Sequence, residues 1–237
     1  MKSMDDIARL KDVYEDRKHR FANRDVYSWF NQGNLFGLQL RQRALLKALR
    51  KIGIADLSDL TICEMGCGGG GVLTEFLNYG AMPKKLFGID LLIDRLAEAQ
   101  LKLPATNFVN ANGQNFPFAS RSFDFVLQYT ALSSILDSSL RTEIARDMLR
   151  IVKPGGVIIS YDFWINPINA QTRGIPPSEI RGLFQNCTFE FHKITLAPPI
   201  ARRLVPISWG LAWLLESFRV FNTHYLIMIF PKNESKL

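Results

Sequence analysis

Cysteine and histidine are both scarce in this chain, with three of each among 237 residues. Cys63, Cys67 and Cys187 form no CxxC pair and cannot all pair with one another, so neither a disulfide framework nor a zinc site is indicated. No metal is expected, and a reducing, cytoplasmic interior is the simplest location. The histidines are scattered: His192 reads as a plain strand position in the alternating FEFHKIT, and His19 and His224 carry still less signal. Long apolar runs are missing too. The most apolar stretch, Ile207 to Phe218, is too short for a membrane span of ~20 residues and contains Glu216, with Arg219 just beyond. The opening MKSMDDIARLKDVYEDRKHR is charged throughout and lacks the apolar core of a signal peptide. No internal repeat or low-complexity segment is present.

What is there is a globular composition, 47% apolar and 11% aromatic, with a formal charge of +7. That balance tolerates acidic partners without choosing among them. One domain is expected from the length. Up to about Lys51 the apolar residues recur at helical spacing, with Leu38, Leu45, Leu46 and Leu49 able to share a face. Then strands and helices alternate. LTICEM, KKLFGID, TNFVNAN, SFDFVLQYT and VIISYDF read as strands; VLTEFLNYG, LLIDRLAEAQLKL and LRTEIARDMLRIV read as helices; KPGG at 153–156 reads as a turn. Such alternation implies an α/β fold, a parallel sheet with helices on both faces, and a ligand site along the edge formed by the strands' C-terminal ends. After Phe163 the pattern loosens through WINPINAQTRGIPP, then CTFEFHKITLAPP and HYLIMIF read as strands.

The chemistry concentrates in CEMGCGGGG, residues 63–71. A phosphate-binding P-loop needs Lys and Ser or Thr after its last glycine, where Val72 and Leu73 stand. The spacing Gly66, Gly68, Gly71, with Asp90 further on, also matches a dinucleotide fingerprint. Glu64 argues against that second reading: a carboxylate at the strand end repels a pyrophosphate and attracts an ammonium. S-adenosylmethionine has both signs, a carboxylate for the free N–H groups of the helix N-terminus and an ammonium for Glu64. Gly66 and Gly68 let the backbone approach the ligand, and Asp90 can accept both ribose hydroxyls.

These residues resemble the class I S-adenosylmethionine-dependent methyltransferases. ICEMGCGGG is similar to the family's acid-x-Gly-x-Gly-x-Gly motif, GID at 88–90 to its ribose-binding acid, ANGQNFPFASRSFDFVLQ to the segment that carries its adenine-binding acid, and MLRIVKPGGVIIS to its fifth-strand region. The resemblance runs from about Leu60 to Phe163. It looks closest to the group found with bacterial natural-product and surface-glycan pathways. It implies a Rossmann-like, doubly wound, mostly parallel seven-stranded sheet with N-terminal helices and a C-terminal cap segment. A single domain would comprise an N-terminal helical lid segment (1–53), a cofactor-binding core (54–163), a cap and substrate segment (164–222) and a last strand with a tail (223–237). The cofactor is S-adenosylmethionine and its product S-adenosylhomocysteine, with Glu64, Gly66, Cys67, Gly68, Asp90, Leu91, Asn112, Gly113 and Gln128 as binding residues. Asn112 departs from the family's Asp; its side-chain oxygen still accepts a hydrogen bond, without charge. Cys67 also reads as a small filler.

Methyl transfer is an in-line displacement at a carbon already activated by the sulfonium, so no catalytic triad is required, and a base only where the acceptor must lose a proton. Candidate catalytic residues are Asp162, Tyr27 and Tyr129, with Tyr161 beside them and with Tyr27 and the following SWFNQGNLF able to close as a lid. QYTA follows the fourth strand instead of an Asn/Asp-Pro-Pro-aromatic motif, which disfavours a nucleobase amino group as acceptor. A small-molecule or glycan acceptor is expected, methylated on oxygen. Arg173, Arg181, Arg202 and Arg203 read as solvated faces, with an acidic acceptor as the alternative. ARRLVPISWGLAWLLESF reads as a cap over the pocket, with an interfacial helix meeting a lipid-linked substrate, and so peripheral membrane contact, as its alternative. Two other classes stay open: a cofactor-binding protein without its own catalysis and an NAD-dependent oxidoreductase.

Overall fold

The computed structural model describes residues 2–21, 28–112, 115–166 and 169–232. Two long helices, α1 (Lys2–Phe21) and α2 (Gln32–Lys51), lead into β1 (Ile62–Met65), α3 (Gly71–Asn78), β2 (Leu86–Asp90), α4 (Ile93–Lys102), β3 (Asn107–Asn110), β4 (Phe123–Tyr129), α5 (Ser138–Ile151) and β5 (Val152–Phe163). Then come α6 (Pro177–Leu183), β6 (Cys187–Leu196), α7 (Pro198–Leu204), α8 (Trp209–Ser217) and β7 (Asn222–Pro231).

The seven strands form one sheet in the order β3-β2-β1-β4-β5-β7-β6, parallel except for β7, which runs antiparallel to both neighbours. The order reverses between β1 and β4, so their C-terminal ends open a crevice at a topological switch point. β1 is buried along its whole length, as a central strand covered on both faces must be. Its side chains alternate: Cys63 and Met65 face the α5 and α6 side, and Ile62 faces the α2 and α3 side. Glu64 shares Ile62's parity and therefore points toward α2 and α3. Leu140, Ile144, Ala145, Met148 and Ile151 of α5 recur at helical spacing and bury together, and Asp137 caps that helix by accepting from Ser139 N and Leu140 N.

Three local expectations need correction. KPGG lies inside β5: Phe123 pairs with Val152 and Phe125 with Val157, so the extra residues bow out of the ladder, with Gly155 at φ +79°. Leu46 is exposed, because one step beyond Leu45 turns it about 100° off the stripe that Leu45, Ala48 and Leu49 bury. The 198–217 helices do not close the cofactor cleft described below. They cover the first turns of α2 and the C-terminal end of β6, where Phe36, Leu196, Ala201, Val205 and Ala212 form a core of their own. Among the described residues no helix is long and apolar enough to cross a membrane.

Candidate cofactor cleft

A cleft of about 530 Å³ opens at the C-terminal ends of β1, β2 and β4. Its floor is the turn between β1 and α3. Gly66, Gly68 and Gly70 have φ of +69°, +50° and +75°, a region in which side chains are strained. At Gly66 a Cβ would stand 2.6 Å from the Ala131 Cβ, and at Gly68 2.7 Å from the Arg95 guanidinium. The turn is clamped to its neighbour: Gly66 N and Cys67 N both donate to Ile89 O, at 2.8 and 3.0 Å. Asp90 completes the clamp, accepting from Gly68 N on Oδ2 (2.8 Å) and from Leu92 N on Oδ1 (2.9 Å). Each carboxylate oxygen retains a second lone pair for a ligand hydroxyl.

Glu64 lines the cleft at 2% exposure, and its Oε2 has no hydrogen-bond partner among the described residues. Burial pushes its carboxyl well above the usual range, and the Arg41 guanidinium pulls the other way. Arg41 comes from α2, pairs with Glu75, and lies over the rings of Tyr129 and Tyr161 at 5.1 and 5.3 Å from their centroids. Sequence reasoning missed it. The signal was available, since Arg41 stands at helical spacing between Leu38 and Leu45, a charge on an otherwise apolar stripe.

Of the residues expected to bind the cofactor, Glu64, Gly66, Cys67, Gly68, Asp90, Leu91 and Asn112 line this one cleft. Gly113 lies outside the described residues. Cys67 fills the space beside Gly88, where a Cβ would come within 2.7 Å of its Sγ, and burial holds its thiol protonated. Gln128 is fully buried and absent from the lining. Its Nε2 donates to Ser160 Oγ (2.6 Å) and its Oε1 accepts from Ala131 N and Leu132 N, so it shapes the loop after β4 rather than reaching the cleft.

The catalytic candidates separate. Tyr129 lines the cleft, its hydroxyl buried and without a partner among the described residues. Burial drives its ionisation far above the ordinary phenol range, so at neutral pH it is a phenol and not a base. Asp162 is off the cleft: it accepts from Ser133 N (3.1 Å) and Phe163 N (3.0 Å), and burial raises its pKa to about 7. Tyr161 likewise turns inward, sharing a hydrogen bond with Thr195 Oγ1 and stacking on His224. Tyr27 lies outside the described residues, and residues 28–36 do not line the cleft. The wall on the N-terminal side comes instead from α1, through Ile7, Leu10 and Tyr14. Asp6 anchors that helix by accepting from Leu136 N and Asp137 N, and Arg9 donates to Ser134 O at 2.7 Å. None of the four flagged arginines lines the cleft: Arg173 pairs with Glu179, Arg181 stacks on Phe189 and Phe191, and Arg202 and Arg203 lie on α7.

The arrangement fits S-adenosylmethionine. A buried carboxylate oxygen without a partner among the described residues shares the cleft with a turn whose bare glycines leave room for a ligand, and a second carboxylate stands one strand away. Comparison with known proteins agrees. Residues 62–156 match the family described as "Methyltransferase domain". Phthiotriol/phenolphthiotriol dimycocerosates methyltransferase 1 of Mycobacterium ulcerans is 29% identical over 109 residues, 45% of this chain and 39% of the relative. Malonyl-[acyl-carrier protein] O-methyltransferase of Enterobacter lignolyticus is 30% identical over 97 residues, 41% of this chain and 36% of the relative. The aligned stretch thus spans well under half of either relative. A SAM-dependent methyltransferase from Methanosarcina mazei shares the fold, with a TM-score of 0.57 at 17% identity over 76% of this chain and 97% of that one.

Proposed function

We propose that this chain, whose residues 62–156 match the methyltransferase-domain family, is a class I S-adenosylmethionine-dependent methyltransferase that transfers a methyl group to an oxygen of a small-molecule or glycan acceptor in the cytoplasm. The observation that carries the cofactor assignment is the buried Glu64 oxygen beside the glycine turn, which has no partner among the described residues. S-adenosylmethionine, when bound, supplies an electrophilic methyl on a sulfonium.

The chain's own residues supply position and a dry environment. Glu64 holds the ammonium, the α3 N-terminus with its bare turn receives the carboxylate, and Asp90 takes the ribose hydroxyls through its remaining lone pairs. Asn112 and Leu91 border the adenine end. Tyr129 at the end of β4, with Thr130, Ala131 and Ser134 from the segment after it, faces the acceptor end, where Tyr129 OH can donate to an acceptor oxygen and hold it in line. Ile7 and Leu10 of α1 exclude water from above. No described imidazole lines the cleft, and its carboxylates, Glu64, Asp90 and Glu98, come from the β1, β2 and α4 side. The reading therefore favours an acceptor oxygen acidic enough to attack without a dedicated protein base. The named O-methyltransferase among the relatives supports oxygen as the acceptor atom.

The test is incubation of the purified chain and methyl-labelled cofactor with small-molecule extracts, followed by mass spectrometry and NMR of the labelled product. Label on an oxygen is expected. Label on nitrogen or carbon would sink the acceptor assignment and leave the cofactor assignment standing.

A further inference from the structure

Beyond the small core it shares with α2 and β6, the α7–α8 segment is apolar where no described residue covers it. A helix apolar nearly all round belongs in a core or in lipid, yet α8 buries only Ala212. Trp209, Trp213, Phe218 and Phe221 are 39 to 64% exposed, which leaves roughly 400 Å² of aromatic surface in water, given about 200 Å² per ring side chain. Ile207, Leu211, Leu214 and Val220 extend the patch. That is as large as the largest patch of a typical monomer, from these rings alone. Exposed Trp29 and Phe30 precede α2 at the same end, where Gly33 meets Arg202 and Phe36 meets Trp209 edge to face at 5.4 Å.

The charge around the patch is predominantly positive. Arg202, Arg203 and Arg219 are exposed, and Arg43 and Arg219 lie within electrostatic range of Glu216. Glu216 is the one acid between residues 198 and 221, and it is bonded to the Asn222 side chain. Tryptophan at an apolar rim with arginine beside it suits a bilayer interface, with the rings at headgroup level and the guanidiniums on lipid phosphate. A second copy of this chain would bring the same arginines face to face and be repelled.

We infer that the α7–α8 face, with Trp213 and Phe218 at its apolar centre and Arg202, Arg203 and Arg219 around it, docks on an anionic lipid bilayer. This goes beyond the methyl-transfer reading and does not depend on it.

Co-sedimentation of the full chain with vesicles tests the inference. Binding to phosphatidylglycerol–phosphatidylcholine vesicles is expected, weak binding to pure phosphatidylcholine, and release as salt rises. Arg202→Gln/Arg203→Gln should weaken partitioning roughly thirtyfold, taking about 1 kcal/mol per cation near the surface. Trp213→Ser/Phe218→Ser should weaken it at least tenfold while the thermal midpoint and S-adenosylhomocysteine affinity stay unchanged, which separates lost docking from lost folding. Equal binding to both vesicle types, no binding to either, or unchanged binding by the Trp213/Phe218 variant would overturn the inference. So would a dimer, seen by light scattering without vesicles, that the same variant dissolves.

Discussion

Replacing Glu64 by glutamine separates two effects that act in opposite directions. The carboxyl is buried and its pKa is raised by that burial. The native state therefore keeps the proton above the unfolded value of about 4.3. The sign follows: the group's contribution to stability is fully present below about pH 4.3 and is lost as pH rises through the folded pKa. Glutamine conserves the volume and never ionises, so Glu64→Gln should unfold at a higher temperature than the parent at pH 7, with the gap closing toward pH 4. Binding moves the other way. In the complex the ligand's ammonium favours the ionised carboxylate; a hydrogen bond to a charged group is worth about 1.5–3 kcal/mol, so the loss of that charge should raise the Kd for S-adenosylhomocysteine by up to roughly 10- to 150-fold. At a ligand concentration of 100 times the parent Kd, the parent gains about 2.7 kcal/mol of stability and a variant weakened tenfold about 1.4. Added ligand should thus narrow or invert the stability gap. Titration calorimetry with thermal unfolding, with and without ligand, reads both. Unchanged affinity in Glu64→Gln would refute the placement of the ammonium on this side chain.

Asp90→Ala should lower both affinity and stability, the latter by about 1–3 kcal/mol, because Gly68 N and Leu92 N lose their acceptor; calorimetry and urea unfolding check it. Gly66→Ala puts a methyl 2.6 Å from the Ala131 Cβ at a φ of +69°, and should cost about 1–3 kcal/mol together with most of the cofactor affinity. Tyr129→Phe removes a buried hydroxyl that has no partner among the described residues, so it should leave stability unchanged or slightly higher while lowering kcat/KM for the acceptor, read by steady-state kinetics. Asp162, with a pKa raised to about 7, contributes a stability that falls between about pH 4 and 7, whereas His224, lowered to about 4 by burial, contributes one that rises between about pH 4 and 6.5. Asp162→Asn should flatten the falling part of the midpoint-against-pH curve and His224→Gln the rising part.

The alternation of apolar strands with amphipathic helices made β1 through β5 legible, because each of those elements announces its period locally. The motif residues were legible for a related reason: the glycine turn and Asp90 sit at the ends of strands that the pattern had already located. What escaped depends on contacts between distant segments. That α1 would wall the cleft follows from Asp6 meeting the backbone at Leu136 and Asp137, a contact across 130 residues. Gln128 and Asp162 stand at strand ends where a ligand contact is plausible from sequence. Which way each side chain turns is decided by Ser160 and by the backbone of the loop after β4. The exposed apolar face of α8 was visible only as composition, since a helix apolar all round reads the same whether it is covered or bare.

The central claim is tested most directly by titration calorimetry of the unmodified chain with S-adenosylhomocysteine and, separately, with NAD. The account predicts saturable one-site binding of S-adenosylhomocysteine and none of NAD. Binding of NAD with no heat from S-adenosylhomocysteine would contradict it.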